Sequence, residues 1–286
     1  MFWVWGIYNL FENGLIKMIR SKASLGEVGD AALVGGGGIF CIVVAYLLGS
    51  SNWALVISRA VYHDDVRKYG SGNAGSTNVL RTYGKKAAIL TFVGDGFKGV
   101  VSILIACLVF GHSMGDAYYI YLGTAAYFSA FFCILGHVFP CFAHFKGGKG
   151  FATTALSIIA LNPAIGIILA IIFFPLVAGT RYVSLGSVVT VMMYPVILGS
   201  FDGALSHYGI NTLVALLMGL LVTWAHRGNL KRIMDRTERK LNLGHKKPAE
   251  EGAEASEEVT DGESEHTGKK QPMSRKKAKR IKKAKK

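Results

Sequence analysis

Long apolar stretches that carry almost no charge constrain the fold of this chain most strongly. They recur from about residue 33 to residue 225 and are typical of helices that cross the ~30 Å hydrocarbon core of a bilayer. Hydrophobic residues make up 51% of the chain, and the mean hydropathy of +0.36 is high for a soluble globular protein. We therefore predict an all-α polytopic membrane protein with one compact membrane domain and short or broken helices.

The pattern predicts about seven transmembrane helices. Asn162-Pro163 divides the longest apolar stretch, because proline removes a helix hydrogen bond and disfavours helix at the residue before it. The predicted spans are residues 33–57, 87–110, 118–139, the two halves of 152–179, 187–200 and 211–225.

The divided stretch allows two arrangements, either two short crossings or one tilted and kinked crossing. Two crossings place the six basic residues of segment 227–240 on the same side as the other basic loops, as the positive-inside rule favours. We therefore expect the N-terminus outside, the C-terminus in the cytoplasm, and all Gly-rich loops on the cytoplasmic side.

Both ends of the chain differ from the membrane domain, which we assign to residues 33–241. Residues 1–32 form an N-terminal extension that we expect to include an interfacial helix, since Glu12 and Asn13 interrupt its apolar run. Residues 242–286 form a charged tail without aromatic residues, which we expect to be disordered and cytoplasmic. The net charge is +14, and 11 of the 32 Lys and Arg residues lie in segment 269–286. The tail is expected either to contact anionic lipid or to be a solvated charge run, and no nucleic-acid partner is expected.

Two Gly-rich loops with basic residues are candidates for phosphate binding. One covers residues 70–78 and closes at Arg81, and the other covers residues 145–150. Backbone N–H groups, hydroxyls and cations suit phosphate oxygens, whereas the plainer alternative is two flexible turns near the lipid headgroups. The candidate ligands are Ser71, Asn73, Thr77, Asn78 and Arg81 in the first loop, and Gly147, Gly148 and Lys149 in the second. A P-loop is excluded because Gly150, not Ser or Thr, follows the lysine.

Charged and titratable residues inside or beside the spans are further candidates. Asp95 and Lys98 lie within a span, where charges either line a functional cavity or form an ion pair that only aids packing. His226 and Asn229 are expected on one helix face where the last span ends, and His137 closes the third span. A histidine there acts as acid, base or phosphate ligand, or simply lies at headgroup level.

Three motifs, in the same order and spacing, resemble those of the acyl-phosphate:glycerol-3-phosphate acyltransferase family (PlsY). The resemblance covers about residues 45–241, and two weaker matches lie at Asp95 to Gly99 and at Thr180 to Ser187. The motifs are Gly70-Ser-Gly-Asn-Ala-Gly-Ser-Thr-Asn-Val-Leu-Arg81, Gly136-His-Val-Phe-Pro-Cys-Phe-Ala-His-Phe-Lys-Gly-Gly-Lys-Gly-Phe-Ala-Thr153, and His226-Arg-Gly-Asn-Leu-Lys-Arg232 with Glu238. The departures are Ser76 for a usual Ala, Ala225 for a common Arg, and Gly228 for a frequent Glu.

The resemblance implies transfer of an acyl group from acyl phosphate to the 1-hydroxyl of glycerol 3-phosphate, giving lysophosphatidic acid and inorganic phosphate. It implies a multi-pass enzyme of the bacterial inner (plasma) membrane with its site facing the cytoplasm, and a functional link to the acyl-phosphate-forming enzyme (PlsX). No metal or other cofactor is expected.

Residue roles are likewise implied by the resemblance. Gly147, Gly148 and Lys149 would bind glycerol 3-phosphate with help from Arg181 and Ser184, and His137 would also contact substrate. The first loop would bind acyl phosphate, with Ser71 and Arg81 among the catalytic residues. His226 with Asn229 would position the glycerol hydroxyl, and the proton acceptor is either His226 or a substrate phosphate oxygen.

Other classes of function fit the sequence less well. The His-x4-Asp motif of thioester-dependent acyltransferases and the Asp-rich motif of CDP-alcohol phosphotransferases are both missing. A phosphate or glycerol-phosphate transporter remains the main alternative, and a non-catalytic protein that binds anionic lipid is a third.

Overall fold

The computed structural model describes residues 14–23, 25–111, 116–201 and 209–241, with backbone only for residues 21, 116–122 and 201. All regular structure in these ranges is helical. The predicted tail at 242–286 and most of the expected interfacial segment lie outside the described residues. The helices are α1 (Leu15–Lys22), α2 (Glu27–Ser50), α3 (Trp53–Tyr62), α4 (Ser76–Tyr83), α5 (Lys85–Phe110), α6 (Asp116–Val138), α7 (Phe151–Leu161), α8 (Pro163–Thr180), α9 (Val183–Phe201), α10 (Gly209–Ala225) and α11 (Arg227–Met234), with short 3-10 turns at Val66–Lys68 and Cys141–Ala143.

The predicted all-helical membrane fold is confirmed, but the count of seven spans is not. Within the described ranges, five helical segments are long and apolar enough to cross a membrane, namely α2 with α3, α5, α6, α8 and α9. A sixth is added if α10 and α11, which meet at a 56° bend, form one span. The remaining predicted span is α7, whose 11 residues extend only about 16 Å.

The first predicted span, residues 33–57, lies within the candidate span Glu27–Tyr62, but its helix is interrupted. Helix α2 ends at Ser50 and α3 begins at Trp53, so the helix breaks inside the predicted segment. Asn52 caps α3, since its side-chain oxygen accepts from the Leu55 amide at 3.0 Å. Its amide nitrogen donates to the Ala74 oxygen at 3.2 Å, which ties the break to the first Gly-rich loop.

The predicted break at Asn162-Pro163 is confirmed. Proline occupies the first position of α8, where its missing N–H costs no helix hydrogen bond. The Asn162 side-chain amide donates to the hydroxyls of Tyr127 at 2.6 Å and Tyr194 at 2.9 Å. These bonds satisfy polar groups where the interrupted helix crosses the bundle interior.

Helices α7 and α8 form a hairpin. Gly150 directly precedes α7 and Ser184 follows closely after α8, and both residues line one cavity described below. A single kinked crossing would place these residues at opposite ends of the bundle. The structure therefore contains two separate helices here, but it does not confirm two crossings, because only α8 is long enough to span a membrane.

Helix α6 lies at the centre of the bundle and packs against α2, α5, α7 and α10. Its contact with α2 is made through glycines, because a Cβ on Gly49 would overlap the Cys133 oxygen and a Cβ on Gly136 would overlap the Tyr46 oxygen. Small residues permit such close approach of helix backbones in membranes. This packing fixes the end of α2 against the end of α6, where the candidate site lies.

Candidate active site

The first Gly-rich loop is shaped by the side chain of Asn78. Its oxygen accepts from the Ser71 amide at 3.0 Å, and its nitrogen donates to the backbone oxygens of Val66 at 2.9 Å and Tyr69 at 3.0 Å. Gly70 and Gly72 have φ of 60° and 68°, a region that favours glycine. These contacts indicate that Asn78 holds the loop in shape.

The second Gly-rich loop lies against the end of α6. The Gly148 amide donates to the His137 backbone oxygen at 3.1 Å. A Cβ on Gly147 would overlap that oxygen, and a Cβ on Gly148 would overlap His137 Nε2, so both positions require glycine for close approach. Gly150 has φ of 81°, which turns the chain into α7. The two glycines thus act through packing.

Lys149 projects from this loop into the cavity. Burial lowers the pKa of its ammonium group to about 8, Arg232 and Arg81 act in the same direction, and the Glu238 carboxylate opposes the shift. A partly desolvated cation near these arginines is well suited to hold an anionic ligand.

His226 lies at the bend between α10 and α11, and its backbone oxygen accepts from the Asn229 amide at 2.8 Å in the first turn of α11. Both residues line the cavity. His226 Nδ1 is 2.8 Å from the Val222 oxygen. Because a carbonyl only accepts, we assign the proton of the neutral ring to Nδ1, which leaves a lone pair on Nε2.

Glu238 organises three side chains of the site. Its carboxylate accepts from Ser184 Oγ at 2.9 Å, Asn229 Nδ2 at 2.6 Å and Arg232 Nε at 2.7 Å. Burial alone would raise the pKa of Glu238, but these hydrogen bonds outweigh it and lower the pKa below its usual range. The carboxylate therefore links the start of α9 to α11.

The third motif includes Glu238, but the sequence pattern predicts no particular role for this residue. It lies in an otherwise basic segment, and a turn at Arg236, with φ of 57°, brings it back toward Arg232. Glu238 is the sole acidic residue in the basic segment 236–240, and this feature of the sequence points to a structural or functional role for it.

Asp95 and Lys98 form an ion pair at 3.2 Å within α5. The Trp53 amide donates to the Asp95 carboxylate at 3.1 Å, and Lys98 donates to the oxygens of Gly49 at 2.8 Å and Ser51 at 2.6 Å. Asp95 also lines the cavity. The two charges therefore form an ion pair, and one of them, Asp95, borders the cavity.

One cavity of about 370 Å³ brings the three motifs together at one end of the bundle. Three predicted site residues, Gly147, Gly148 and Arg181, do not line it. Arg181 instead ends α8 with φ of 61°, and its oxygen accepts from the Leu241 amide at 2.8 Å. The predicted residues that line the cavity are Ser71, Asn73, Thr77, Asn78, Arg81, His137, Lys149, Ser184, His226 and Asn229.

The cavity wall carries more positive than negative charge. Two carboxylates, Asp95 and Glu238, reach it, and each is engaged by a cation. The cationic side chains in the lining are Arg81, Lys149, Arg232 and Arg239. Such a cavity favours anionic ligands. The described part of the chain contains no group of three His, Cys, Asp or Glu residues placed to hold a metal ion.

Comparisons with known proteins give consistent matches. A family profile described as glycerol-3-phosphate acyltransferase matches residues 39–236. The glycerol-3-phosphate acyltransferase of Paraburkholderia xenovorans (strain LB400) is 40% identical over 211 residues, which cover 74% of this chain and 93% of that protein. The protein of the same description from Clostridioides difficile (strain 630) is 39% identical over 211 residues, covering 73% of this chain and 97% of the relative.

Two solved structures are also similar. Both are of PlsY (YgiH), an integral membrane glycerol 3-phosphate acyltransferase. The glycerol 3-phosphate form has a TM-score of 0.63 and 32% identity, and the match covers 72% of this chain and 96% of that one. The lysophosphatidic acid form has a TM-score of 0.61 and 31% identity, covering 72% of this chain and 95% of that one.

Proposed function

This multi-pass membrane protein belongs to the glycerol-3-phosphate acyltransferase family, and we propose that it transfers an acyl group from acyl phosphate to the 1-hydroxyl of glycerol 3-phosphate. The products are lysophosphatidic acid and inorganic phosphate. The observation that carries this proposal is the meeting of both Gly-rich loops and His226 in one cavity with a cationic wall. Each substrate brings a phosphate group, and the cavity offers donors from two loops to hold them.

Binding of the two substrates supplies much of the catalysis in this proposal. Lys149 from the second Gly-rich loop and Arg81 from α4 hold the two phosphate groups close together, so that the glycerol hydroxyl lies beside the acyl carbonyl. Holding two reactants in this geometry removes a large entropic part of the barrier. Acyl phosphate is already activated, so no covalent intermediate with the enzyme is required.

The chemical step is attack of the glycerol hydroxyl oxygen on the acyl carbonyl carbon. A new ester C–O bond forms, the bond between the carbonyl carbon and the phosphate oxygen breaks, and phosphate leaves with the bonding electrons. Hydrogen-bond donors of the cavity stabilise the negative charge on the carbonyl oxygen and on the leaving phosphate.

The hydroxyl proton needs an acceptor, and His226 Nε2 is the one that the geometry favours. Its lone pair is available because Nδ1 donates to the Val222 oxygen. Asn229 lies beside it, held by the Glu238 carboxylate at 2.6 Å, and Ser184 is held by the same carboxylate. Glu238 is therefore a positioning residue for this half of the site.

We place the cavity on the cytoplasmic side of a bacterial inner membrane, where an acyl-phosphate-forming enzyme (PlsX) would supply the donor. Basic residues concentrate at the cavity end of the bundle, in agreement with the positive-inside rule. Residues 33–241 would form the acyltransferase domain, with the segments before and after it as additions.

Product formation by the purified protein in detergent tests the function. Acyl phosphate and glycerol 3-phosphate together should yield lysophosphatidic acid and phosphate in equal amounts, and acyl-CoA in place of acyl phosphate should yield none. A transporter would form no product in micelles. Folded protein that makes no lysophosphatidic acid from these substrates would overturn the proposal.

A further inference from the structure

Asp95 and Lys98 are buried deep in the bundle, with 1% and 5% of their surfaces exposed. Buried charges are tolerated when nearby groups form hydrogen bonds with them. Here the backbone at the break between α2 and α3 provides these hydrogen bonds. The backbone oxygens of Gly49 and Ser51 accept from Lys98 Nζ, and the Trp53 amide donates to Asp95. The pair is thus held in one fixed position beside the cavity.

Lys98 also contacts a histidine ring. His137 Nδ1 is 2.9 Å from Lys98 Nζ and 3.5 Å from the Asp95 carboxylate. An ammonium group has no lone pair, so a hydrogen bond with Lys98 requires Nδ1 to accept. Nδ1 could donate to Asp95 only across the longer distance of 3.5 Å, so the 2.9 Å contact with Lys98 favours Nδ1 as the acceptor. The proton of the neutral ring therefore lies on Nε2.

The Nε2 atom lies where the two Gly-rich loops meet. A Cβ on Gly148 would overlap it, and the same Cβ would be 2.6 Å from the Ala74 oxygen of the first loop. The His137 ring also lines the cavity. An N–H on Nε2 is therefore placed to donate to an anionic ligand held by these loops.

We propose that Asp95 and Lys98 are positioning residues that fix the tautomer of His137, so that its Nε2–H donates to a substrate phosphate oxygen. Asp95 keeps the Lys98 ammonium group in place, and Lys98 occupies the His137 Nδ1 lone pair. The identification of the ligand as a substrate phosphate rests on the proposed function, whereas the assignment of the His137 tautomer does not. The two histidines of the cavity then have opposite roles, with His137 donating through Nε2 and His226 accepting through Nε2.

The tautomer can be measured without substrate. Nitrogen-15 NMR of histidine-labelled protein in detergent distinguishes protonated from unprotonated ring nitrogens, and the His137→Gln variant identifies the His137 signals among the eight histidines. We expect a protonated Nε2 and an unprotonated Nδ1. A proton on Nδ1, directed at Asp95, would overturn the inference even if the enzyme makes lysophosphatidic acid. Conversely, an inactive enzyme with the expected tautomer would remove only the proposed function.

Two substitutions of His137 test the donor. A glutamine side chain places its amide nitrogen near the position of Nε2, whereas an asparagine side chain places it near Nδ1. We expect His137→Gln to keep the KM of the phosphate substrates within a fewfold range, and His137→Asn to raise one KM by roughly tenfold to a hundredfold. A KM that stays closer to that of the unsubstituted protein in His137→Asn than in His137→Gln would contradict the assigned role.

A double-mutant cycle tests whether Lys98 acts through His137. Lys98→Met removes the charge but keeps most of the side-chain length, and Lys86→Met on the exposed start of the same helix is the matched control. If Lys98 acts through His137, adding Lys98→Met to His137→Asn should change KM little further. Fully additive effects in variants that unfold at the same temperature would mean that Lys98 serves packing alone. If Lys98→Met does not fold, Asp95→Asn replaces it in the cycle.

Discussion

The Gly148 amide donates to the His137 backbone oxygen at 3.1 Å, which joins the second Gly-rich loop to the end of α6. A methyl group on Gly148 would overlap the His137 ring, and it would lie 2.6 Å from the Ala74 oxygen. Gly148→Ala should therefore displace the loop and reduce kcat/KM by at least about tenfold, with a smaller effect on unfolding temperature. Steady-state kinetics with both substrates would measure this.

The matched control is Gly36→Ala on α2, where an added Cβ meets no atom within 4 Å. Alanine is a better helix former than glycine, so this variant should keep full activity and equal or greater stability. Equal kinetics in the Gly148 and Gly36 variants would show that close packing at Gly148 does not matter for the site.

Lys149 gives a second prediction. Lys149→Ala removes a charge-assisted bond to phosphate, which should cost about 1.5–3 kcal/mol and raise the KM for glycerol 3-phosphate roughly tenfold to over a hundredfold. Lys146→Ala is the control, because this neighbouring lysine is exposed and does not line the cavity. Unchanged kinetics in a folded Lys149 variant would remove this residue from the site.

The pH dependence of activity gives a third prediction. With a pKa of about 8, the Lys149 ammonium is charged below that pH and loses its proton above it. Affinity for a phosphate dianion should therefore fall as pH rises through 8, and kcat/KM should fall with it. A bound dianion stabilises the ammonium group, so kcat should fall only at higher pH. Lys149→Arg stays cationic, and if it remains active its alkaline loss of kcat/KM should be smaller.

Glu238 gives a fourth prediction, on stability. Its pKa is lower in the fold than in the unfolded chain, so its contribution is full above about pH 4.3 and is lost as pH falls toward the folded value. Glu238→Gln should lower the unfolding temperature at pH 7, and the difference from the unsubstituted protein should shrink below pH 4.3. The exposed neighbour Asp235 provides the control variant, Asp235→Asn, which should show little change at either pH. If the unfolding temperature of Glu238→Gln were lower by the same amount at every pH, the role assigned to the carboxylate would be contradicted.

Topology gives a fifth prediction. In a background without native cysteines, Lys146→Cys and Arg227→Cys should react with a membrane-impermeant thiol reagent only from the cytoplasmic side. Gly209→Cys, at the other end of α10, should react from outside. Labelling of positions 146 and 227 from opposite sides would contradict the shared cavity.

The apolar helices could be predicted from the sequence because the bilayer demands long uncharged segments, and Pro163 made the break between α7 and α8 visible. The break at Asn52 could not, because it depends on contacts with residues distant in sequence. Asn52 donates to the Ala74 oxygen, and the end of α2 accepts from Lys98. Nothing in the local apolar pattern contains these contacts.

In the candidate site, too, some features could be predicted from the sequence and others depend on contacts between distant residues. The residue types of the motifs predicted an anion site, and ten of the predicted residues do line the cavity. The sequence could not distinguish residues that line the cavity from residues that only hold its loops in place. Gly147 and Gly148 belong to the second group, because they act through their lack of a Cβ. Nor could it predict that Glu238 joins Ser184 to Asn229, because these side chains meet only after α9 and α11 pack together.

The hairpin of α7 and α8 has a consequence for biosynthesis. Helix α7 is too short to cross the bilayer alone, and the Asn162 amide at its end bonds to Tyr127 and Tyr194. Tyr194 lies 32 residues later in the chain, so during translation Asn162 enters the membrane before this partner does. The hairpin should therefore leave the translocon as one unit, and its tip should settle in the bilayer only after α9 has inserted.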